Sequence, residues 1–303
     1  MFTFYKNRIY WWMMMDVKVK KDNSEIITYD QTGIPIYIRE AYLSFYPNYR
    51  ALCHWHKDIE FIYVLEGKMN YYINGKVILL KSGDSVMINS GQLHYGYSAS
   101  NEECHFYCII LHPSLITMNK TLYKKFVEPV TENRSLDFVF FEKEEKVAAI
   151  LQQIYEIKLC QSVTYELEII SLFHELWKKI YKISMTKCED VQQTIDNELQ
   201  MQRQMVSFIY QNYAEGILLD DIAAAGKVCR SKCCQIFKKY VGESPMDFVN
   251  EYRLEMSCQM LLTTELNITE ICTACGFNHL SYFSKMFREK FGKTPREYRK
   301  NGN

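Results

Sequence analysis

Hydrophobic positions along this chain follow two periods, and the switch between them divides it. Between residues 33 and 112, β-rich runs at 34–38, 61–65, 69–73 and 85–88 alternate with turn signals at Glu66-Gly67, Asn74-Gly75, Ser82-Gly83-Asp84 and Ser90-Gly91. Asn-Gly between two such runs predicts a two-residue hairpin, because both residues tolerate positive φ. Closely spaced strands punctuated in this way predict a sandwich or barrel. From about Glu142 the spacing becomes helical: Val147, Ile150, Leu151 and Ile154, then Ile169, Phe173, Leu176, Trp177 and Ile180, recur at intervals of three and four. Stripes this wide predict helices that cover the barrel or meet a second subunit. We expect part of the second stripe, Phe173 and Ile180 included, to form a homodimer contact. Residues 185–200 are polar and lack an apolar period, which predicts a connection between domains.

The remainder is helical in pattern and carries an internal repeat. Ile236-Phe237-Lys238-Lys239-Tyr240-Val241-Gly242-Glu243-Ser244-Pro245 returns fifty positions later as Met286-Phe287-Arg288-Glu289-Lys290-Phe291-Gly292-Lys293-Thr294-Pro295. In each copy a cationic helix ends on a glycine suited to a left-handed C-cap. Ser or Thr can then cap a new helix that opens on proline. Each cationic helix follows a short helix and a turn, at Gly226-Lys227 and at Gly276. A repeated unit of this size predicts two similar DNA readers in one chain. The long helix between them, residues 245–263, would be about 28 Å long at 1.5 Å per residue. That length suits recognition helices in successive major grooves, one duplex turn of about 34 Å apart.

Composition changes this picture little. The 303 residues leave room for two domains, and 36 Lys and Arg balance 36 Asp and Glu, so net charge is silent on nucleic acid. Residues 200–303 carry 14 basic and 11 acidic side chains, a mild local excess of +3. Eleven scattered cysteines do not form the even, regular framework of a secreted protein, so a reducing cytoplasm is expected. Cys272 and Cys275 form a CxxC on an amphipathic helix without the second pair that a zinc site needs. The apolar run at residues 9–15 is too short to span a bilayer. No membrane partner is expected, and the three methionines Met13, Met14 and Met15 suggest that translation starts later than residue 1.

The residues at 203–300 resemble the AraC/XylS-type DNA-binding domain. The second unit carries the more diagnostic signature: Ile271, Cys275-Gly276-Phe277, the run from Tyr282 to Phe287, then Gly292, Thr294-Pro295 and Tyr298-Arg299. The resemblance implies that Arg230, Ser231, Cys234 and Gln235 face DNA from the first unit. Gln235 suits an adenine edge and Arg230 a guanine or phosphate, while Lys238 and Lys239 suit phosphates. In the second unit Ser281 and Lys285 match base-facing positions, His279 lies near the helix start and Arg288 suits phosphate. Cys233, Ile236, Phe237, Phe283, Met286 and Phe287 are expected in the core. The first turn departs from the family pattern, because its glycine stands one position early and Cys229 replaces the usual Ser cap.

Residues 33–112 similarly resemble a cupin: His54-Trp55-His56, Glu60 and Gly67 match one motif, and Gly83-Asp84 with Gly91-Gln92-Leu93-His94 the other. In metal-dependent cupins the positions of His54, His56, Glu60 and His94 hold one divalent ion. Asn89 in place of proline and Ser98 in place of asparagine depart from that pattern, so the favoured reading is an effector pocket without metal or other cofactor. Its candidate lining is His54, Trp55, His56, Glu60, Tyr63 and His94, among further tyrosines at 42, 71, 72, 95 and 97.

Together these readings predict an α+β protein with an extension at 1–32, a cupin-like effector domain with dimerisation helices at 33–184, a linker at 185–202 and a double helix-turn-helix domain at 203–301. The implied function is a cytoplasmic, non-enzymatic transcription regulator. Its expected partners are promoter DNA, a small-molecule effector, a second copy of itself and, by the resemblance, RNA polymerase. The resemblance further implies activation and a carbohydrate-type signal. One rival is a cupin metalloenzyme with an accessory DNA-binding domain. Another is an alkyl-acceptor repair protein, which lacks a methyltransferase domain here.

Overall fold

The computed structural model describes Glu25 and residues 27–30, 34–133, 135–186 and 193–302. The apolar run at 9–15, most of the extension at 1–32 and residues 187–192 of the expected linker lie outside the described residues. Two compact units divide the chain, one ending at Gln193 and the other built on residues 194–303.

The first unit is an antiparallel β structure organised by one long strand. Its strands are β1 (Ile36–Tyr42), β2 (Ile59–Ile73), β3 (Lys76–Lys81), β4 (Ser85–Ile88), β5 (His94–Tyr97), β6 (Cys104–Leu111) and β7 (Phe138–Phe141). The front half of β2 lies between β6 and β4 in the order β1-β6-β2-β4-β7, and its back half pairs with β3 and β5. The predicted turn at Glu66-Gly67 is instead a bulge inside β2, where the register against β6 shifts between Val64 and Glu66. A Cβ on Gly67, at φ +78°, would stand 2.3 Å from the Glu103 carbonyl oxygen, so only glycine lets the strand continue there. Asn74 (φ 46°) and Gly75 (φ 87°) do close a two-residue hairpin between β2 and β3. The strand β7 lies beyond the predicted end of the β region and pairs with β4.

Helices α1 (Lys120–Phe126) and α2 (Glu128–Thr131) lead to β7, and α3 (Glu145–Cys160) and α4 (Tyr165–Thr186) follow it. Val147, Leu151 and Ile154 of α3 and Ile169, Phe173, Leu176, Trp177 and Ile180 of α4 enter one core with Ile36, Ile38, Phe61, Ile109 and Leu111. Phe173 meets Phe61 edge to face, with centroids 6.4 Å apart. The stripe expected to pair subunits thus covers the protein's own sheet: Phe173 and Ile180 are fully buried.

The second unit is all helical: α5 (Gln193–Asn212), α6 (Leu219–Ala225), α7 (Arg230–Tyr240), α8 (Pro245–Thr263), α9 (Ile268–Ala274), α10 (Leu280–Phe291) and α11 (Pro295–Gly302). Helix α5 includes the back half of the stretch expected as linker. Leu199, in that stretch, is buried among polar neighbours, and Met205, Val206 and Ile209 beyond it are buried as the helical spacing there predicts. Ser244 caps α8 by accepting from the Asp247 amide, with Pro245 at the first helical position as the sequence repeat predicts. Arg253 of α8 is buried and donates to the carbonyls of Tyr213 (2.7 Å) and Glu215 (2.6 Å), which fastens the loop after α5 to the middle of the domain.

Candidate functional site

Four ionisable side chains meet inside the β unit, placed by backbone pairing. His54 and His94 face one another across an isolated antiparallel bridge, with His54 N–H to His94 O at 3.1 Å and the return bond at 2.9 Å. Their rings are 4.3 Å apart, and the His56 ring lies 5.1 Å from that of His94. Glu60, near the start of β2, projects into the same space. Its Oε2 lies 3.0 Å from His56 Nε2, 2.8 Å from His94 Nε2 and 4.0 Å from His54 Nε2. Its other oxygen accepts from the Tyr71 hydroxyl at 2.9 Å and faces the Cys108 thiol at 3.7 Å. Glu60, His56 and His94 are almost wholly buried.

The approach of His94 is held by polar groups whose roles were illegible in sequence. Asn74, in the hairpin turn, accepts from Leu93 N–H at 3.0 Å and gives its own N–H to Leu93 O. Asn89, where the cupin pattern has proline, donates from Nδ2 to the carbonyls of Val130 (2.8 Å) and Leu136 (2.9 Å). That departure anchors α2 and the segment that follows it, and leaves the histidine cluster intact.

Electrostatics follow from burial and mutual contact. Burial alone would raise the Glu60 carboxyl, but His94 and His56 together hold it well below the usual carboxylate range. Burial, with His94 adding to it, lowers the His54 imidazole to about 3. For His56 burial works the other way from the bond to Glu60, and the latter wins, so its value is raised. Burial also pushes Glu25, which lies 3.5 Å from His54 Nε2, up to about 7.

Not every expected lining residue reaches this space. Tyr63 lies on the opposite face of β2 from Glu60, because side chains alternate along a strand. It belongs to the core under α3 and α4, where Gln152 donates to its hydroxyl at 3.4 Å. Trp55 contributes its carbonyl, which accepts the Glu25 N–H at 2.9 Å. Tyr71 stacks on His94 with centroids 6.2 Å apart, whereas Tyr72 and Tyr95 stack on each other at 5.0 Å. Glu25 and Cys108 were not singled out in sequence. Glu25 lies outside the β-rich stretch, and nothing about a lone cysteine within a strand distinguishes it.

In the helical unit, α6–α7 and α9–α10 are two helix-turn-helix pairs. Arg230, Ser231, Gln235, Lys238 and Lys239 on α7 are exposed and Cys234 is half-buried; His279, just before α10, and Ser281, Lys285 and Arg288 on it are exposed. The apolar faces of both helices turn inward through Cys233, Ile236, Phe237, Phe283 and Phe287, and Met286 packs partly against that core. Arg230 forms a two-point ion pair with Asp220. Lys232 and Lys239 both pair with Glu198 of α5, and those hydrogen bonds hold its carboxyl down at about 2. Tyr282 is an exposed aromatic on α10 that sequence reasoning placed in the motif without a role.

A β domain with a buried polar cluster, followed by two helix-turn-helix pairs on a connecting helix, defines a ligand-binding transcription regulator. Residues 40–177 match the AraC-like ligand binding domain and residues 222–301 a helix-turn-helix domain. The HTH-type transcriptional regulator YdeC of Bacillus subtilis, itself uncharacterized, is 32% identical over 251 residues, covering 82% of this chain and 85% of YdeC. The HTH-type transcriptional activator RhaS of Mannheimia succiniciproducens is 25% identical over 254 residues, 81% of this chain and 88% of RhaS. Among solved structures, ToxT of Vibrio cholerae aligns over 87% of this chain and 97% of its own at 15% identity and a TM-score of 0.46. The chain belongs to the AraC family of DNA-binding transcriptional regulators. No helix among the described residues is long and apolar enough to cross a membrane.

Proposed function

We propose that this regulator reads two DNA half-sites with one chain, α7 entering one major groove and α10 the next, under control of an effector held at His54, His56, Glu60 and His94. The observation that carries this reading is the doubled reader. Two helix-turn-helix pairs, each with an exposed polar face, flank the 19-residue helix α8, whose length of about 28 Å approaches one duplex turn. Gln235, Ser281 and Lys285 are the proposed base readers. Ser231 and Cys234 flank Gln235, His279 stands at the entry of α10, and Arg230, Lys238, Lys239 and Arg288 contact phosphates. The buried histidine–carboxylate cluster favours an effector bearing polar or charged groups, of which a carbohydrate is one class. The protein acts in the cytoplasm without catalysis of its own, as an activator that contacts RNA polymerase and works as a homodimer. Phe173 and Ile180 take no part in that dimer, and the exposed apolar residues available to it include Leu159, Val163 and Leu167 around the turn between α3 and α4.

The test is binding of the full chain to its own upstream DNA, followed by fluorescence anisotropy across a salt series. Affinity that falls steeply with salt, as phosphate contacts release counterions, and that changes with Gln235→Ala on one half-site and Lys285→Ala on the other, supports the reading. Salt-independent binding, or two substitutions acting on the same base pairs, contradicts it.

A further inference from the structure

The buried cluster contains a conflict between acceptors. His54 Nδ1 lies 2.8 Å from the Leu52 carbonyl, His94 Nδ1 2.8 Å from that of Gln92, and His56 Nδ1 3.1 Å from that of Asp58. A carbonyl only accepts, so each Nδ1 carries the proton. A neutral ring then has a bare lone pair on Nε2, and all three Nε2 atoms converge on the Glu60 carboxylate, which also only accepts. Lone pairs gathered in this way in a buried site are relieved either by a proton on one ring, which the 3.0 Å contact of His56 Nε2 with Glu60 accommodates, or by one metal ion shared among all of them. Each ring is oriented from behind by a backbone carbonyl, the support that ligating imidazoles usually have. The donor atoms of His54, His56, Glu60 and His94 all lie within 4.8 Å of one another. Donors about 2.1 Å from one ion would stand roughly 3.4–4.2 Å apart, so small rotations close the set.

A fifth group points the same way. The carboxylate of Glu25 reaches His54 Nε2 at 3.5 Å, and its Oε2 is a buried oxygen with no hydrogen-bond donor. Glu25 lies outside the stretch that matches the ligand-binding domain, which begins at residue 40, and its backbone N–H is fixed on the Trp55 carbonyl between two of the histidines. We propose that the effector domain binds one divalent first-row transition-metal ion through His54, His56, His94 and Glu60, with Glu25 as a fifth donor that ties the chain preceding β1 to the centre. Three imidazoles with carboxylate oxygen suit iron, manganese, cobalt, nickel or zinc. When bound, such an ion supplies a Lewis-acidic point of attachment for an oxygen-bearing effector. The proposal deepens the reading of this domain as the sensor and reverses the metal-free expectation drawn from Asn89 and Ser98.

The full chain, stripped with chelator, is titrated with Zn(II), Ni(II), Mn(II) and Co(II) by calorimetry, and the Co(II) form is followed by its visible spectrum. One ion per chain is expected, with a raised melting temperature because the ion binds only the folded state. His94→Gln and Glu60→Gln should abolish stoichiometric binding. Glu25→Gln should weaken it about 10- to 100-fold and shift the Co(II) bands. Should the buried substitutions unfold the protein by circular dichroism, His54→Gln, at the less buried edge of the cluster, serves in their place. Absence of saturable one-equivalent binding by all four ions, or unchanged affinity in the histidine variants, overturns the centre. Unchanged affinity and spectrum in Glu25→Gln overturn the fifth donor. Promoter binding is measured on the same stripped samples: if DNA binding and its response to a small molecule persist while no ion binds, the metal inference fails and the regulator reading stands.

Discussion

The two helix-turn-helix pairs are built to one plan and finished differently. In the second, Asn267 accepts from the amides of Thr269 and Glu270 while Glu270 accepts from Asn267 N–H, a complete capping box on α9. Its turn places Gly276 at φ +79°, where a Cβ would lie 2.5 Å from the Tyr213 carbonyl oxygen. In the first pair the residue at the equivalent turn position is Lys227, at φ 54°, while Gly226 keeps an ordinary φ of −81°. Gly226 is needed for packing instead, because a Cβ there would meet Met205 Cγ at 2.7 Å. Neither recognition helix has a side-chain cap, at Cys229 for α7 or at His279 for α10. The cations differ as well. Arg230, Lys232 and Lys239 of the first reader are paired with Asp220 and Glu198, whereas Lys285 of the second has a 3.8 Å contact with its neighbour Glu289. The first pair is therefore strained at its turn and charge-compensated on its recognition helix, and the second is better capped on its leading helix α9 and leaves Lys285 more open to phosphate.

The largest effect expected from this contrast is on stability. Gly276→Ala combines positive-φ strain with a backbone clash, and should lower stability by about 2–4 kcal/mol in chemical denaturation. Gly242→Ala, also at positive φ but with open space around it, should cost only about 1 kcal/mol. Equal losses would mean that the Tyr213 contact is unimportant. Next come the base readers: Gln235→Ala and Lys285→Ala should each cost about 1–3 kcal/mol of DNA affinity and relax preference at their own half-site, read by competition with mutated duplexes.

Smaller effects probe the compensated cations. Glu198→Gln frees Lys232 and Lys239, so non-specific DNA binding should tighten several-fold and its salt dependence steepen by about one to two ion equivalents. Unchanged slopes would show that those lysines never reach phosphate. Glu198 also gives a pH signature. Its folded value lies near 2, below the ordinary 4.5, so its stabilising contribution is complete above about pH 4.5 and is lost as pH falls towards 2. Glu198→Gln should flatten that acid limb in thermal melts. The smallest change is expected from Lys227→Gly, where relief of left-handed strain of about 1 kcal/mol is partly offset by the freer unfolded chain. A slight stabilisation is predicted, and a clear loss would show that Lys227 has a contact of its own.

Much of this architecture was legible because it rests on local rules. The Asn74-Gly75 hairpin, the apolar stripes of α3 and α4 and the repeated glycine–Ser/Thr–proline ends are written in neighbouring residues. The errors came where long-range contacts decide. Glu66-Gly67 reads as a turn until Glu103 is seen pressed against it, and Phe173 and Ile180 read as an unpartnered stripe until the sheet beneath them is counted. Within the site, His54, His56, Glu60 and His94 were recognisable from spacing. The displacement of Tyr63 depends on which face of β2 it occupies, and Glu25 reaches the cluster by a backbone bond to Trp55 that no pattern near residue 25 announces.

The central claim is that one chain carries two readers for one duplex, and hydroxyl-radical footprinting of the full-length protein on its upstream DNA tests it most directly. Two protected patches on one face of the helix are predicted, centred about 10–10.5 base pairs apart for each bound chain, with Gln235→Ala weakening one patch and Lys285→Ala the other. A single patch per chain, lost as a whole with either substitution, would contradict the account.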